Sequence, residues 1–309
     1  MRKSAAEFSR CVRAISALAL VAGILVAGAP CFAQEVDPAK PAAEKSTGDS
    51  LDANILKLCR DDMTEFRFGF ADKPDAKCEL KEVMKWSNPV RERQIGVVFV
   101  VVHDGRAEAL TTVFSHPNGE DRLTIYDEFQ SLSPQRLVAT KNGAAVWSTA
   151  KPGVILTPIP DAPPPADTPL ARIRQMRNLA REFAGHSISY RPKETKWELR
   201  MLTQPLYRYE AKGGDVLDGA VFTFVSEAGT DPELIVLIEA RKVGEHHVWH
   251  FAPARFSDHT LVLKHRDREV WTFVNEDRSP FFGGGPTGTY RFIQDRSISE
   301  SSLRTAKSP

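Results

Sequence analysis

A chain of 309 residues with 41 basic against 40 acidic side chains is nearly neutral, and is long enough for one large domain or two small ones. Without a clustered positive field it lacks the electrostatic footprint of a general nucleic-acid binder. Beyond the N-terminal segment, no stretch is long and apolar enough to cross a bilayer.

The chain begins with the marks of an export signal. Arg2, Lys3, Arg10 and Arg13 form a basic start, an apolar run follows from Ala14 to Ala29, and Cys31-Phe32-Ala33 places small residues three and one before a break at Gln34. An uncleaved membrane anchor and a lipid-modified Cys31 are the alternatives. Against the first, the run is shorter than the roughly 20 apolar residues of a span. Against the second, Pro30 directly precedes the cysteine and Gly28 stands where a leucine is usual. Removing residues 1–33 leaves 37 basic against 39 acidic side chains, a net charge of −2.

Residues 34–50, rich in Ala, Pro, Lys, Glu and Ser, lack the apolar content to bury a core and read as a disordered leader. A first unit is expected over 51–150, beginning with helix between Leu51 and Met84. Cys59 and Cys78 are the two cysteines left after cleavage. In an oxidising compartment they are expected to pair, stabilising the fold by about 3 kcal/mol in the chain-entropy model. The alternatives are two free thiols or half of a metal site. Val97 to Val102 is a continuous apolar run, as a strand covered on both faces requires. Asp104-Gly105, Asn118-Gly119 and Asn142-Gly143 supply hairpin chemistry.

Lys151 to Pro169 is dense in proline, cannot join a central strand, and reads as a linker over 151–167. The second unit, 168–275, opens with a helix capped by Asp167 or Thr168, with Pro169 in its first turn and Gly185 near its end. Leu170, Ile173, Met176, Ala180 and Phe183 fall on one side and are expected to pack on a sheet. Leu234 to Ile238 forms a second doubly covered strand. Trp197 to Tyr209, Thr260 to Lys264 and Glu269 to Val274 mix apolar and polar positions, as half-exposed strands do. The remainder, 276–309, reads as a flexible tail, with Phe281, Phe282, Tyr290 and Phe292 as the residues that dock it.

The two halves share a pattern. Gly96-Val97-Val98-Phe99, Leu137-Val138 and Val146-Trp147 in the first recur as Gly219-Ala220-Val221-Phe222, Leu261-Val262 and Val270-Trp271 in the second. From Leu-Val to the tryptophan is 10 residues in both. The expected fold is α+β: two tandem related units, each a helix followed by an antiparallel β-meander, packed as one or two domains.

Trp86-Ser-Asn-Pro-Val-Arg91, Asp167-Thr-Pro-Leu-Ala-Arg-Ile-Arg-Gln-Met-Arg177 and Gln204-Pro-Leu-Tyr-Arg-Tyr209 resemble segments of an uncharacterised family of exported bacterial proteins, over most of residues 80–275. The resemblance implies export and no activity, ligand or catalytic residue.

Chemistry-bearing clusters are few. His246 and His250 face the same way on a strand and are the candidate metal ligands, but no Glu sits inside the cluster as in His-Glu-x-x-His enzymes, and no metal or other cofactor is expected. Asp61, Asp62 and Glu65, or Asp127 and Glu128, are the candidate acid and base of a glycosidase, which needs two carboxyls held across a cleft. Arg174, Arg177 and Arg181 line one side of the interdomain helix, with Arg172 on a flank, and are the candidate contact for an anionic surface. No nucleophile motif is present. These readings converge on an exported, non-catalytic binding or assembly module of the bacterial envelope, located in the periplasm or outside the cell, with an envelope protein or polymer as partner. The alternative is an envelope hydrolase with a site between the halves, using histidines near His250.

Overall fold

The computed structural model describes residues 42–73, 75–90, 93–190, 192–210, 214–278 and 284–304, with side chains from Leu51 onward. The export signal, residues 34–41 of the leader, and Phe281 and Phe282 lie outside the described residues.

The chain opens with helix α1, Ala42–Met63. Its buried residues Leu51, Ile55, Cys59 and Met63 recur at three- and four-residue spacing, the stripe a helix needs to cover a sheet. The helix therefore starts inside the segment expected to be a leader and stops well short of Met84. Strands β1, Phe66–Phe70, and β2, Glu79–Asn88, follow. Next come β3, Gln94–His103, β4, Arg106–Pro117, and β5, Arg122–Ser131, which continue from β2 as an antiparallel meander. Asp104 and Gly105 both have positive φ at the β3–β4 hairpin, as do Asn142 and Gly143 between β6, Leu137–Lys141, and β7, Ala144–Ser148. That is the twist-matched turn these pairs favour. β1, β6 and β7 form a separate three-stranded sheet.

After the proline-rich segment, whose short β8, Thr157–Pro158, pairs at an edge, comes α2, Pro169–Ala180. Thr168 caps it, accepting a hydrogen bond from the Ala171 amide, with proline in the first turn. Strands β9, Phe183–Ser189, β10, Thr195–Met201, and β11, Tyr207–Tyr209, lead into β12, Val216–Val225, β13, Leu234–Val243, and β14, His246–Arg255. The hairpin of β15, Thr260–His265, and β16, Arg268–Phe273, completes a nine-stranded sheet ordered β16-β15-β9-β10-β12-β13-β14-β8, with β11 also paired to β12. β10 meets β12 only through Arg200 opposite Val225 and Met201 opposite Phe224, so the sheet curls at that corner into a half-barrel.

This architecture corrects the expected α+β fold. Among the residues described with side chains, strand accounts for 53% and helix for 12%, mostly antiparallel β rather than two helix-plus-meander units. The reason is visible in the packing. Val98, Val100 and Val102 of β3 share one core with Val221 of β12 and Ile235 and Leu237 of β13, so the two meanders bury their faces against each other. Val97, Phe99 and Val101 point the opposite way, into a second core under α1 and β1-β6-β7. Ala220, Phe222, Val236 and Ile238 build a third core with α2. Each fully buried branched residue in these layers contributes roughly 1.5–3 kcal/mol of transfer free energy, and sheet, not helix, supplies most of the covering.

Two further expectations change. The tail carries β17, Tyr290–Ser299, hydrogen-bonded along β5, and a short α3, Glu300–Arg304. Tyr290 and Phe292 anchor it as aromatic residues turned inward, while its loose composition lies mainly in the preceding glycine-rich loop. The Cys59–Cys78 bridge is absent: both thiols are free and pack in the same core as hydrophobes. Burial pushes Cys59 up to about 12 and Cys78 up to about 11, so both stay protonated and unreactive. The expectation rested on compartment, and compartment does not bring two sulfurs together.

The recurring residues occupy matching positions in the strand ladders. Trp147 lies opposite Ala139, and Trp271 opposite Leu263, the residue directly after the Leu-Val pair in each case and each beside a register shift. Trp86 lies opposite Gly96, and Tyr209 opposite Gly219. A Cβ at Gly96 would come within 2.6 Å of the Trp86 ring, and one at Gly219 within 2.6 Å of the Tyr209 ring, so glycine is what lets each aromatic ring lie across its neighbour. The surroundings differ, since the Trp147 indole donates to the Gly288 carbonyl at 2.8 Å and is buried, whereas Trp271 is half-exposed.

Candidate functional site

A cavity of about 560 Å³ opens where the first meander and β17 meet the β9–β10 hairpin and loops of the second half. Strand alternation builds its walls. On β4, Thr112, Phe114 and His116 are two residues apart and share one face, and Tyr290 and Phe292 do so on β17; Glu128 of β5 lines the cavity while Tyr126, on the same face of β5, packs behind Phe114 and Phe292. Trp86 adds its indole from β2, hydrogen-bonded through Nε1 to Thr112 Oγ1 at 3.0 Å. The rings form a continuous cluster: Trp86 to Phe114 at 5.3 Å, Phe114 to Tyr126 at 5.4 Å, and Tyr126 to Phe292 at 4.9 Å between centroids. From the second half come Tyr190, whose hydroxyl pairs with Thr260 Oγ1 at 3.0 Å, and Trp197, whose Nε1 donates to Ser189 Oγ at 3.0 Å. These hydrogen bonds fix the rims of otherwise apolar walls.

Polar groups are placed sparingly within this aromatic box. Glu128 is 7% exposed and accepts a 2.5 Å hydrogen bond from the Tyr290 hydroxyl. Burial is the main cause that pushes its carboxyl up to about 8; the Tyr290 hydrogen bond opposes the rise, the Asp258 and Asp231 charges add to it, and Arg255 lowers it. Tyr290 is itself pushed well above 10 by burial and the same carboxylate. The Arg255 guanidinium lies behind them, 3.8 Å from the Tyr290 ring centre and 4.0 Å from that of Phe273. Asp231 accepts from Asn88 Nδ2 at 3.0 Å. His259 has both ring nitrogens near carboxylates, Nδ1 at 3.1 Å from the fully buried Glu233 and Nε2 at 3.6 Å from Asp258.

No family model, curated protein or solved structure matches this chain.

Of the catalytic, metal and anion-contact candidates singled out by sequence, Glu128 lines this cavity and the others fall elsewhere. Asp127 and Glu128 point to opposite faces of β5: Glu128 enters the cavity, while Asp127 pairs with Lys141 at 3.2 Å on the side of α1 and rises to about 6, chiefly through burial. They cannot serve as a catalytic pair. Asp62, near the end of α1, is held by Arg296 at 2.7 Å. His246 is exposed, and it lines a second hollow with His247 and Pro163 to Pro165; His250 sets Nδ1 3.0 Å from the Val248 carbonyl and lines neither space. No group of three or more metal-ligating side chains occurs among the described residues. Arg174 and Arg181 are exposed, Arg177 is half-buried and donates to Gln204, and Arg172 is a core residue bonded to Asp218 at 2.8 Å. Leu170, expected on the packed side, is 63% exposed. Among the described residues no helix is long and apolar enough to cross a membrane.

Proposed function

We propose that this is an exported, non-catalytic binding protein of the bacterial envelope that takes a small, mainly apolar ligand into the cavity between its two halves. One observation carries the reading: aromatic side chains from six separate strands and loops converge on one concave, mainly apolar surface with a few carboxyls set in it, the usual composition of a small-molecule site. The neutral naphthalene dye prodan tests it. The wild-type chain is expected to take up one dye with blue-shifted emission and to quench Trp86 or Trp197; the double variant Gln94→Phe/Thr195→Phe, which fills the cavity from two half-buried positions, is expected to lose uptake with unchanged circular dichroism. Equal uptake by both, or none by the wild type, would dismiss the site.

Export rests on the N-terminal pattern. Mass spectrometry of the envelope fraction is expected to find a chain beginning at Gln34; an exported chain that still begins at Met1 would overturn cleavage.

A second reading, a hydrolase, is favoured by the convergence of His259, Asp258 and Glu128 on one cavity. It ranks second because both His259 nitrogens already face carboxylate oxygens, which leaves neither directed at a substrate proton. Turnover of p-nitrophenyl acetate that disappears in His259→Ala would promote it.

A further inference from the structure

Resting on the reading of this cavity as a ligand site, we infer that its ligand is an organic cation: an ammonium group carried on an apolar body, seated against Glu128 and the surrounding aromatic faces. Among the described residues the charges on the wall are unbalanced in one direction. Glu128, Asp231 and Asp258 line the cavity, whereas Lys193, the lining lysine among them, is exposed. Arg255 is not among the lining residues; its guanidinium lies over the Tyr290 and Phe273 rings. Of the described residues, a ligand atom inside the cavity therefore meets carboxyl oxygens and aromatic rings before it meets a fixed cation.

The ring faces matter as much as the carboxyls. Trp86, Phe114, Tyr290 and Phe292 surround the Glu128 side, and Tyr190 and Trp197 oppose them. A cation over such faces is attracted by about 0.5–1 kcal/mol per exposed contact and about 2 when desolvated. An anion would face the negative side of every ring as well as three carboxyls. A neutral apolar ligand would fill the space but leave Glu128 with Tyr290 as its only hydrogen-bonding side chain among the described residues. A cation replaces the proton that burial makes Glu128 hold, which turns a costly buried acid into a paired one.

The groups facing Glu128 are Tyr290 from β17, Arg255 from β14, Asp258 and His259 from the loop after β14, Asp231 from the loop before β13, and His116 from β4. Measurement above the Glu128 ionisation, at pH 8.5, keeps its carboxylate available. Calorimetric titration of the full-length mature chain with benzyltrimethylammonium, whose charge is permanent, is expected to give saturable one-site binding. The affinity is expected to be at least tenfold above that for benzylsulfonate. Glu128→Gln, which keeps an acceptor for Tyr290, is expected to lose about tenfold for the cation with an unchanged circular dichroism spectrum.

No binding of the cation, or equal affinity for cation and sulfonate, would overturn the inference. So would an unaltered cation affinity in Glu128→Gln. Intact prodan uptake alongside any of these would leave the cavity as a site for neutral ligands, whereas loss of both would remove the cavity reading as well.

Discussion

Replacing Arg106 by methionine is expected to destabilise the protein by about 3–5 kcal/mol, because it strands a buried carboxylate at the junction of the two meanders. Arg106 begins β4 in the first half and donates Nε to Glu239 of β13 at 2.8 Å, Nη1 to Glu108 at 3.0 Å, and Nη2 to the Leu132 carbonyl at 3.1 Å. Glu239 is fully buried and also accepts from the Tyr209 hydroxyl at 2.5 Å and from Arg241 at 2.7 Å. Burial alone would raise the Glu239 carboxyl; Arg106, Tyr209 and Arg241 together hold it below the ordinary range. Methionine matches the length of the arginine stem and loses only the charge and the forked donors, so the loss reads out the network rather than a cavity. Urea midpoints for Arg106→Met, Glu239→Gln and the double variant are the measurement. A single-variant loss below about 1 kcal/mol, or additive losses with no coupling, would show that the junction is held by apolar packing alone.

The second large effect is a dependence of stability on pH centred on Glu128. Its folded carboxyl sits at about 8 against 4.5 for an ordinary glutamate, and burial is the leading cause. Between those values the unfolded chain has released a proton that the folded chain retains. Stability is therefore expected to fall as pH rises from about 4.5 to about 8, by a total on the order of 5 kcal/mol, and to level off above that. Asp127, raised to about 6 from 3.8, has the same sign over a lower window. Glu128→Gln cannot titrate, so the difference between variant and wild type isolates one group. Denaturant midpoints at pH 5, 6.5 and 8.5 are expected to diverge, with the variant gaining on the wild type at the alkaline end. Parallel curves would mean that Glu128 is ionised and solvated in the folded chain, against the burial of its side chain described above.

The same carboxyl links the two readings of the cavity. A site that keeps an acid protonated at neutral pH stores free energy which a suitable cation releases on binding, at the cost of a less stable empty protein. That is the ordinary trade between stability and a preorganised site.

Local chemistry was legible in the residues themselves. The run Val97 to Val102 announced a strand with both faces covered, and its side chains do alternate between two cores. Thr168 and Pro169 marked a helix start, and Asp104-Gly105 and Asn142-Gly143 marked hairpins; each is decided by neighbours within a few residues. The recurrence of Leu-Val and Trp at equal spacing located two hairpins with the same register. What sequence could not reveal depends on contacts between distant segments. Whether Cys59 meets Cys78 depends on how α1 sits over β2 and β3. Whether 290–299 is tail or strand depends on the free edge of β5. The candidate site combines Trp86, Phe114 and Glu128 with Trp197, His259 and Tyr290, up to about 200 residues apart, and no spacing rule connects them. Periodicity says that Glu128 and Asp127 face opposite ways; only the packing of one curled sheet against another says which of those faces holds a cavity.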